Sequence, residues 1–207
     1  LREAAAADTA YQIEKSLRFE SGDSADLRTT FSSEGNRYKS TWSGWVKRNK
    51  IGTTQRIYSG INGSSTSNDD WFAIGFISDE LFIGGYSVWF RRSNQLFRDP
   101  SAWMHICVAV DTANSVSAEK VKAWVNGKEI TSWHTTNDPA KTGINAAQTH
   151  YLGSENGTSY VDLQLADVQF IDGLALSPAA FGSFDDAGNW NPKTFALPAP
   201  NDGTTWS

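Results

Sequence analysis

Three aspartates, Asp162, Asp167 and Asp172, recur at five-residue intervals along the apolar run 161–172, which contains no glutamate. Retaining glycosidases need two carboxyl groups about 5–5.5 Å apart, one as nucleophile and one as general acid. Successive residues of a strand point to opposite faces, so an odd spacing places neighbouring aspartates on opposite sides of a sheet. We therefore expect no convergent carboxylate pair and predict that the chain is not an enzyme, with polysaccharide hydrolysis as a remote alternative.

The residue pattern also disfavours a Ser-His-Asp hydrolase. The chain has three histidines, His105, His134 and His150, and no Gly-x-Ser-x-Gly motif, which places the nucleophilic serine on a sharp turn in many hydrolases. His105 stands between Met104 and Ile106 in an apolar stretch. Because a neutral imidazole both donates and accepts a hydrogen bond, it can be satisfied inside a core, and we predict that structural role for His105.

Aromatic residues beside polar loops favour glycan binding over catalysis. Trp133 stands in a polar stretch outside any alternating pattern, close to Asn137 and Asp138. Sugar rings stack on aromatic faces while amide and carboxylate groups bind the hydroxyls, and loops on a rigid scaffold often carry such sites. The alternative for each ring is packing against the sheets, since aromatic side chains supply much core area. The other candidates are Trp71, Tyr86 and Trp89.

Two acidic residues beside a turn signal, Asp69 and Asp70, could supply oxygen ligands to a calcium ion. Calcium takes six to eight oxygen ligands, and this pair supplies only part of such a set. The alternative is a pair of solvated loop carboxylates. No other metal or cofactor is expected.

Strands must position all of these residues. Residues 103–111 alternate, and residues 121–130 alternate until they break at Asn126-Gly127, a strong hairpin signal because a type I′ turn requires positive φ at both central residues. Ser78-Asp79 predicts a second two-residue hairpin, and a slip of the apolar phase at Ala166-Asp167 predicts a β-bulge. Many short strands of this kind indicate an all-β, two-sheet antiparallel sandwich.

Composition excludes several classes of function. The 207 residues carry a net charge of −5 and no lysine or arginine stripe, which argues against nucleic-acid binding. No apolar run approaches the roughly 20 residues of a membrane-spanning helix, so we expect no membrane insertion. Cys107 is the only cysteine, which excludes an intrachain disulfide. A chain of this length can bury a sufficient core as one domain without such a cross-link.

The chain divides into an Ala-rich arm at residues 1–15, a sandwich domain at residues 16–185 and an irregular, Pro-bearing tail at residues 186–207. Four consecutive alanines favour helix in the arm, although so short a helix needs a neighbour, and the alternative is a frayed terminus. Exposed apolar patches usually mark interaction sites, so we predict that both ends contact other subunits of a homo-oligomer or larger particle. The apolar residues concerned are Leu1, Tyr11, Ile13, Trp190, Phe195, Leu197 and Trp206.

Five motifs in order resemble the laminin-G-like jelly-roll domains of the concanavalin A-like lectin/glucanase superfamily. They are SLRF at residues 16–19, WSGWVKR at 42–48, FRDPSAWMH at 97–105, VNG at 125–127 and ADVQFIDGLAL at 166–176. Together the five motifs resemble members found in structural proteins of tailed bacteriophages. The resemblance implies a jelly-roll topology. Hydrolases of this superfamily carry paired glutamates on one strand, and the run 161–172 lacks them.

The same resemblance implies a non-enzymatic virion structural protein on the tail or capsid surface. As a tail-fibre or receptor-binding adhesin, it would recognise a glycan on the host surface. As a capsid knob or decoration protein, it would assemble with other virion proteins without binding a ligand. Trimers are common in such fibres and knobs, so the resemblance favours a trimer, and some relatives bind calcium.

Overall fold

The structure, a computed structural model, describes residues 11–61, 70–85, 89–135 and 137–197. Within these ranges the regular structure is almost entirely β. The strands are β1 (Leu17–Phe19), β2 (Leu27–Thr30), β3 (Lys39–Arg48), β4 (Gln55–Ile61), β5 (Trp71–Ile77), β6 (Glu80–Gly84), β7 (Phe90–Leu96), β8 (Met104–Asp111), β9 (Val121–Val125), β10 (Lys128–Glu129), β11 (Trp133–Thr135), β12 (Thr149–Leu152), β13 (Leu163–Asp172), β14 (Gly182–Phe184) and β15 (Trp190–Pro192). Helix α1 (Ser117–Lys120) is a single turn, and 3-10 turns occupy Ser21–Asp23 and Pro178–Ala180.

The strands form two large antiparallel sheets that pack as a sandwich. The six-stranded sheet has the order β1-β13-β3-β8-β9-β10, and the seven-stranded sheet has the order β11-β7-β6-β5-β4-β12-β2. The short strands β14 and β15 pair with each other as a third, two-stranded sheet. This confirms the all-β, two-sheet antiparallel jelly-roll sandwich expected from the strand pattern and the resemblance.

Alternation along the strands builds the core between the two sheets. In β3 the indole of Trp42 points inward and is 1% exposed, and in β8 every second residue from Met104 to Val110 does the same. Burial of this apolar area is the main stabilising contribution to such a fold. Seven apolar residues of β3, β8, β9 and β13 belong to this central cluster or pack against it: Trp42, Ile106, Val108, Val110, Val125, Leu165 and Phe170.

Two tight hairpins lie where the sequence predicts them. Asn126 and Gly127 have φ of 50° and 72°, and they join β9 to β10. Ser78 and Asp79 have φ of 48° and 77°, and they join β5 to β6. Positive φ at both central residues is the mark of a type I′ turn, whose twist matches that of the flanking strands.

The predicted bulge in β13 is also present. The register with β3 shifts between Ala166 and Gln169, and Asp167 adopts a φ of 48°. An extra residue of this kind reverses the alternation of the strand. Leu165 and Phe170 therefore both contact the core although they are five positions apart, an odd spacing that would place them on opposite faces of a regular strand.

The chain beyond β13 covers the outer face of the six-stranded sheet. We call residues 174–195 the C-terminal strap. Its first part is fixed to β3, where Thr41 Oγ1 donates to the Leu174 carbonyl and accepts from the Leu176 amide, both at 2.7 Å. Its later part stacks Phe195 on Phe181, with ring centres 5.0 Å apart, and buries Cys107 beneath it.

The prediction of an irregular tail from residue 186 is wrong for part of that segment. Trp190–Pro192 is strand β15 and pairs with β14, so the hairpin crosses the predicted boundary. The pairing depends on contacts with the sheet below rather than on alternation within three residues, which is why the local pattern did not indicate a strand. Trp190 and Phe195 are half-buried against the sheet, whereas Leu197 is exposed.

The start of the described chain has no regular structure. Residues 11–16 form neither helix nor strand, and Tyr11 is exposed. The four alanines for which we predicted helix lie outside the described residues, as do Leu1 and Trp206. Among the helices that the structure describes, none is long and apolar enough to cross a membrane.

Candidate functional site

A cleft of about 470 Å³ lies beside the turn that joins β9 to β10. We call it the tryptophan cleft, because Trp45, Trp103 and Trp190 line it and all three are half-buried. Trp42 and Val46 of β3 point into the core, so Trp45 is on the outer face of the sheet. Trp103 immediately precedes β8, and Trp190 begins β15. The polar groups in the wall are Gln95, Asn126, Lys128, Glu129 and Asn189.

His105 supports this cleft from below. Its ring centre lies 5.4 Å from that of Trp45 and 5.8 Å from that of Trp190, and its Nε2 is 2.8 Å from Ser43 Oγ. Burial lowers the pKa of His105 to about 4, so the ring is neutral at physiological pH. This confirms the structural, hydrogen-bonded role predicted for it.

The β9–β10 turn holds the cleft in shape. Asn126 is tied to β8 twice, because its amide donates to the His105 carbonyl at 2.9 Å and its Oδ1 accepts from the His105 amide at 2.8 Å. The Trp190 ring packs so closely on Gly127 that a Cβ there would overlap it, and Phe184 meets the same ring edge-on at 5.0 Å. The indole of Trp190 is thus positioned by a rigid turn and by the β14–β15 hairpin.

A second cleft, of about 430 Å³, lies beside β11, and we call it the Trp133 cleft. Trp133 is half-buried and packs against the core at the edge of the seven-stranded sheet, so it is a strand residue rather than the loop aromatic that the sequence predicted. Part of its surface still lines the cleft, together with residues of β7, α1, β9 and β10. These include Arg91, Ser117, Glu119, Lys122 and Glu129.

The two polar residues predicted to accompany Trp133 differ in their surroundings. Asp138 Oδ1 is 2.6 Å from Arg91 Nη2, and Arg91 lines the Trp133 cleft. Burial alone raises the pKa of Asp138, but hydrogen bonds from Ser117 and Arg91 outweigh it and hold the pKa below its usual range. Asn137 is exposed. The structure therefore brings Asp138 to the cleft as an ionised partner of Arg91.

Trp71 and Trp89 are not exposed platforms, which corrects that expectation. Trp71 is 5% exposed, and its indole donates to Glu155 Oε1 at 2.8 Å beneath the guanidinium of Arg56. Trp89 is 1% exposed and packs beside Phe72 in the core. The sequence could not show this, because the covering residues are remote along the chain. Tyr86 lies outside the described residues.

The structure adds no support for calcium at the predicted position. Asp70 lies 3.6 Å from the Arg37 guanidinium, and Asp69 lies outside the described residues. Within the described ranges, no group of three or more His, Cys, Asp and Glu residues is arranged to hold a metal ion. Calcium binding stays a prediction.

The three aspartates of the run 161–172 have separate partners. Asp162 accepts from the amide and the hydroxyl of Ser21, and Asp172 accepts from the Asn36 amide. Asp167 accepts from the Gln169 side chain at the bulge. The bulge changes the alternation from which we predicted that neighbouring aspartates lie on opposite faces of the sheet. The position of each carboxylate therefore follows from its hydrogen-bond partners and not from the spacing.

Trp45, Trp103 and Trp190 were not among the candidates drawn from the sequence. The position of Trp45 could have been found, since it follows Trp42 at an odd spacing and precedes the inward Val46. Trp103 and Trp190 carried no such signal, because one precedes its strand and the other lies in a segment interpreted as tail.

A family model described as the concanavalin A-like lectin/glucanases superfamily matches residues 19–180. The match runs from the last residue of β1 to the 3-10 turn after β13, and so it includes the strands of both large sheets except for the first two residues of β1. No curated protein sequence matches the chain.

Solved structures show the same architecture at low sequence identity. A heptameric SAP-like pentraxin from Limulus polyphemus is 18% identical over 81% of this chain and 76% of that chain, with a TM-score of 0.51. Domain 4 of an extracellular GH43 arabinanase from Geobacillus stearothermophilus, in complex with arabinotriose, is 21% identical over 74% and 69%, with a TM-score of 0.50. Domains LG4-5 of the mouse laminin alpha1 chain are 13% identical over 95% and 48%, with a TM-score of 0.54. These likenesses establish the fold.

Proposed function

The chain belongs to the concanavalin A-like lectin/glucanases superfamily, and from that premise we propose that it is a non-enzymatic module that binds glycan in the tryptophan cleft. The observation that carries the proposal is the set of three half-buried indoles around a cleft of about 470 Å³ with amide and charged groups in its wall. Sites for small ligands are typically concave, lined by aromatic surface and provided with a few polar groups that fix orientation.

The chemistry of the cleft suits a sugar. Partly exposed indole faces offer flat apolar surface to the C–H side of a pyranose or furanose ring, as aromatic side chains do at other amphipathic contacts. Gln95 can donate to and accept from hydroxyl groups, while Asn126, whose Oδ1 accepts from His105, offers its side-chain NH2 and Asn189, whose Nδ2 donates to Asp185, offers its Oδ1. The arabinanase domain with the same fold was solved with arabinotriose, which supports this class of ligand.

The proposal includes the absence of catalysis. In support, Asp162, Asp167 and Asp172 form hydrogen bonds with different neighbours, and the His105 ring is hydrogen-bonded to Ser43. Incubation of the chain with polysaccharides should release no reducing ends. If the wild-type chain releases reducing ends and Asp162→Asn or Asp167→Asn abolishes that release, this part of the proposal is wrong.

We further propose that the module works on the surface of a tailed bacteriophage particle, as a tail-fibre adhesin for a host glycan. The support is the ordered set of sequence motifs that resemble phage structural domains, together with the glycan-compatible cleft. Purely structural decoration of the capsid is the alternative. Immunogold labelling of purified particles distinguishes the two locations, and labelling of neither would remove the virion assignment.

The decisive experiment for glycan binding uses Trp103→Ala. Trp45 contacts His105 and Trp190 packs on Gly127, whereas Trp103 makes no ring contact with another aromatic residue among the described parts of the chain. Its removal should therefore spare the fold. On a glycan array and by calorimetry we expect the wild-type chain to bind, and Trp103→Ala to bind at least about tenfold more weakly, which corresponds to about 1.4 kcal/mol.

Tyr38→Ala is the matched control, because Tyr38 is a 53% exposed aromatic residue that does not line the tryptophan cleft. It should bind like the wild type, and both variants should keep the wild-type melting temperature. Failure of the wild-type chain to bind any arrayed glycan would overturn the proposed function. Equal losses for Trp103→Ala and Tyr38→Ala would place binding elsewhere.

A further inference from the structure

The tryptophan cleft and the Trp133 cleft share a wall. Glu129 of β10 lines both of them. Strand β7 also borders both, with Gln95 in the wall of the first and Arg91 in the wall of the second. The strands β10 and β11 are edge strands of the two large sheets. The clefts are therefore neighbouring parts of one surface that follows an open edge of the sandwich.

The register of β7 and β11 sets the length of that surface. Ser93 pairs with Trp133, and Arg91 pairs with Thr135. Gln95 and Arg91 are four positions apart on β7, and the register of β7 with β6 shifts between Arg92 and Leu96, so the wall that β7 contributes to the two clefts is irregular. Four residues of regular strand extend over roughly 13 Å, which is the upper limit for the distance from the Gln95 position to the Arg91 position and is more than the length of one sugar ring.

The charged groups along this edge compensate one another. Lys122 Nζ lies 3.1 Å from Glu119 and 3.3 Å from Glu129, and Arg91 lies 2.6 Å from Asp138. Such pairing leaves polar hydrogen-bonding groups without a strong field of one sign. The surface suits an uncharged chain rich in hydroxyl groups better than it suits a polyanion.

We propose that the two clefts form one extended groove for a linear, neutral oligosaccharide, with one part of the ligand on the tryptophan cleft and a later part against Trp133. This inference rests on the proposed function, since it requires that the tryptophan cleft binds glycan. Gln95 and Glu129 lie between the aromatic ends and bind hydroxyl groups there. A ligand that reaches both ends makes its second set of contacts at the effective concentration set by the first.

Calorimetry with cello-, xylo- and arabino-oligosaccharides, each from the monosaccharide to the octasaccharide, tests the groove. We expect the affinity of the wild-type chain to rise at least tenfold from the shortest to the longest member that binds. Trp133→Ala should abolish that rise and leave the affinity for short members unchanged. Trp103→Ala should weaken binding of every length.

A second variant guards against misfolding, because Trp133 packs partly against the core. Thr131→Arg places a bulky side chain at an exposed position in the wall of the Trp133 cleft, and it should also abolish the rise with length. Long chains offer more ways to occupy a single cleft, but that statistical gain would survive both variants. A rise of undiminished size in both variants, or no rise in the wild type, would overturn the groove. No binding of any member, when the array shows binding of another glycan, would also overturn the groove for a neutral ligand, and no binding on the array either would overturn the proposed function.

Discussion

Arg48 is a fully buried cation at the end of β3, and its guanidinium reaches from the six-stranded sheet to the turn between β5 and β6. Its Nη1 lies 3.0 Å from Asp79 Oδ1, and its guanidinium carbon lies 4.2 Å from the centre of the Phe76 ring. Asp79 also accepts hydrogen bonds from the Gly52 amide and the Arg98 guanidinium. The pair therefore connects the two sheets through one carboxylate.

We expect Asp79→Asn to lower the free energy of unfolding by about 3 kcal/mol, because the buried Arg48 charge loses its partner. Asparagine tolerates left-handed backbone, so the φ of 77° at this position stays accessible. Urea unfolding followed by tryptophan fluorescence measures the loss. Asp99→Asn is the control, since Asp99 is an exposed turn carboxylate bonded to Ser101. Equal losses in the two variants would refute a special role for the buried pair.

Acid should weaken the fold through the same carboxylate. Burial alone raises the pKa of Asp79, but hydrogen bonds from Gly52, Arg98 and Arg48 outweigh it and hold the pKa below its usual range. A carboxyl with a lowered folded-state pKa stabilises the protein above its unfolded pKa of about 4, and this stability is lost as the pH falls through the folded pKa. Urea titrations from about pH 7 to about pH 3 should show a steeper loss for the wild type than for Asp79→Asn. Parallel curves would contradict this.

At the scale of elements, two Asn-Gly turns have the same backbone and different surroundings. Asn126 and Gly127 have φ of 50° and 72°, and Asn156 and Gly157 have φ of 48° and 75°. A Cβ at Gly127 would overlap the Trp190 ring, whereas a Cβ at Gly157 would meet only the Tyr160 hydroxyl at 3.5 Å. The first turn therefore needs glycine for its conformation and for its packing, and the second needs it for its conformation alone.

We expect Gly157→Ala to cost about 1 kcal/mol, the usual cost of left-handed backbone for a residue with a Cβ. Gly127→Ala should cost more and should also weaken glycan binding, because the alanine displaces Trp190 from the tryptophan cleft. Urea unfolding and calorimetry on both variants measure the two effects. If the two substitutions proved equal in stability and in binding, the Trp190 contact would contribute nothing to the cleft.

The elements that the sequence predicted are those with local causes. The Asn126-Gly127 and Ser78-Asp79 hairpins and the bulge at Asp167 follow from backbone preferences of a few adjacent residues. The exposure of Trp71 could not be predicted, because β5 is buried on both faces and the covering Glu155 is remote in the chain. The strand at Trp190–Pro192 depends on docking against the sheet, which no three-residue pattern contains.

On the scale of the whole molecule, the two sides of the sandwich differ. One side carries β10, β11 and the two clefts, and the other carries the edge strands β1 and β2. All four residues of β2 are exposed, and the apolar Leu17 and Leu27 are exposed on these edges. An unpaired edge with apolar side chains is a surface on which another chain can add.

We expect deletion of residues 1–15 to lower the oligomeric state while the sandwich stays folded. The arm leads directly into β1 at this edge. Its deletion removes the apolar side chains that we expect to contact other subunits. Light scattering after size exclusion measures the mass, and circular dichroism checks the β-structure. A truncated protein with the mass of the full chain would show that the arm is only a tether.

The burial of Cys107 beneath the C-terminal strap makes the reactivity of its thiol a measure of how often the strap opens. Its thiol touches the strap through the Leu176 carbonyl and Phe181, and burial raises its pKa, so the reactive thiolate is suppressed while the strap is closed. A thiol reagent can therefore reach the only sulfhydryl of the chain during openings of this region. The rate of that reaction, compared with the rate of global unfolding, separates local lifting of the strap from melting of the sandwich. Trp190 belongs to the strap and lines the tryptophan cleft. The rate of thiol modification therefore also reports how often that wall of the cleft opens and closes.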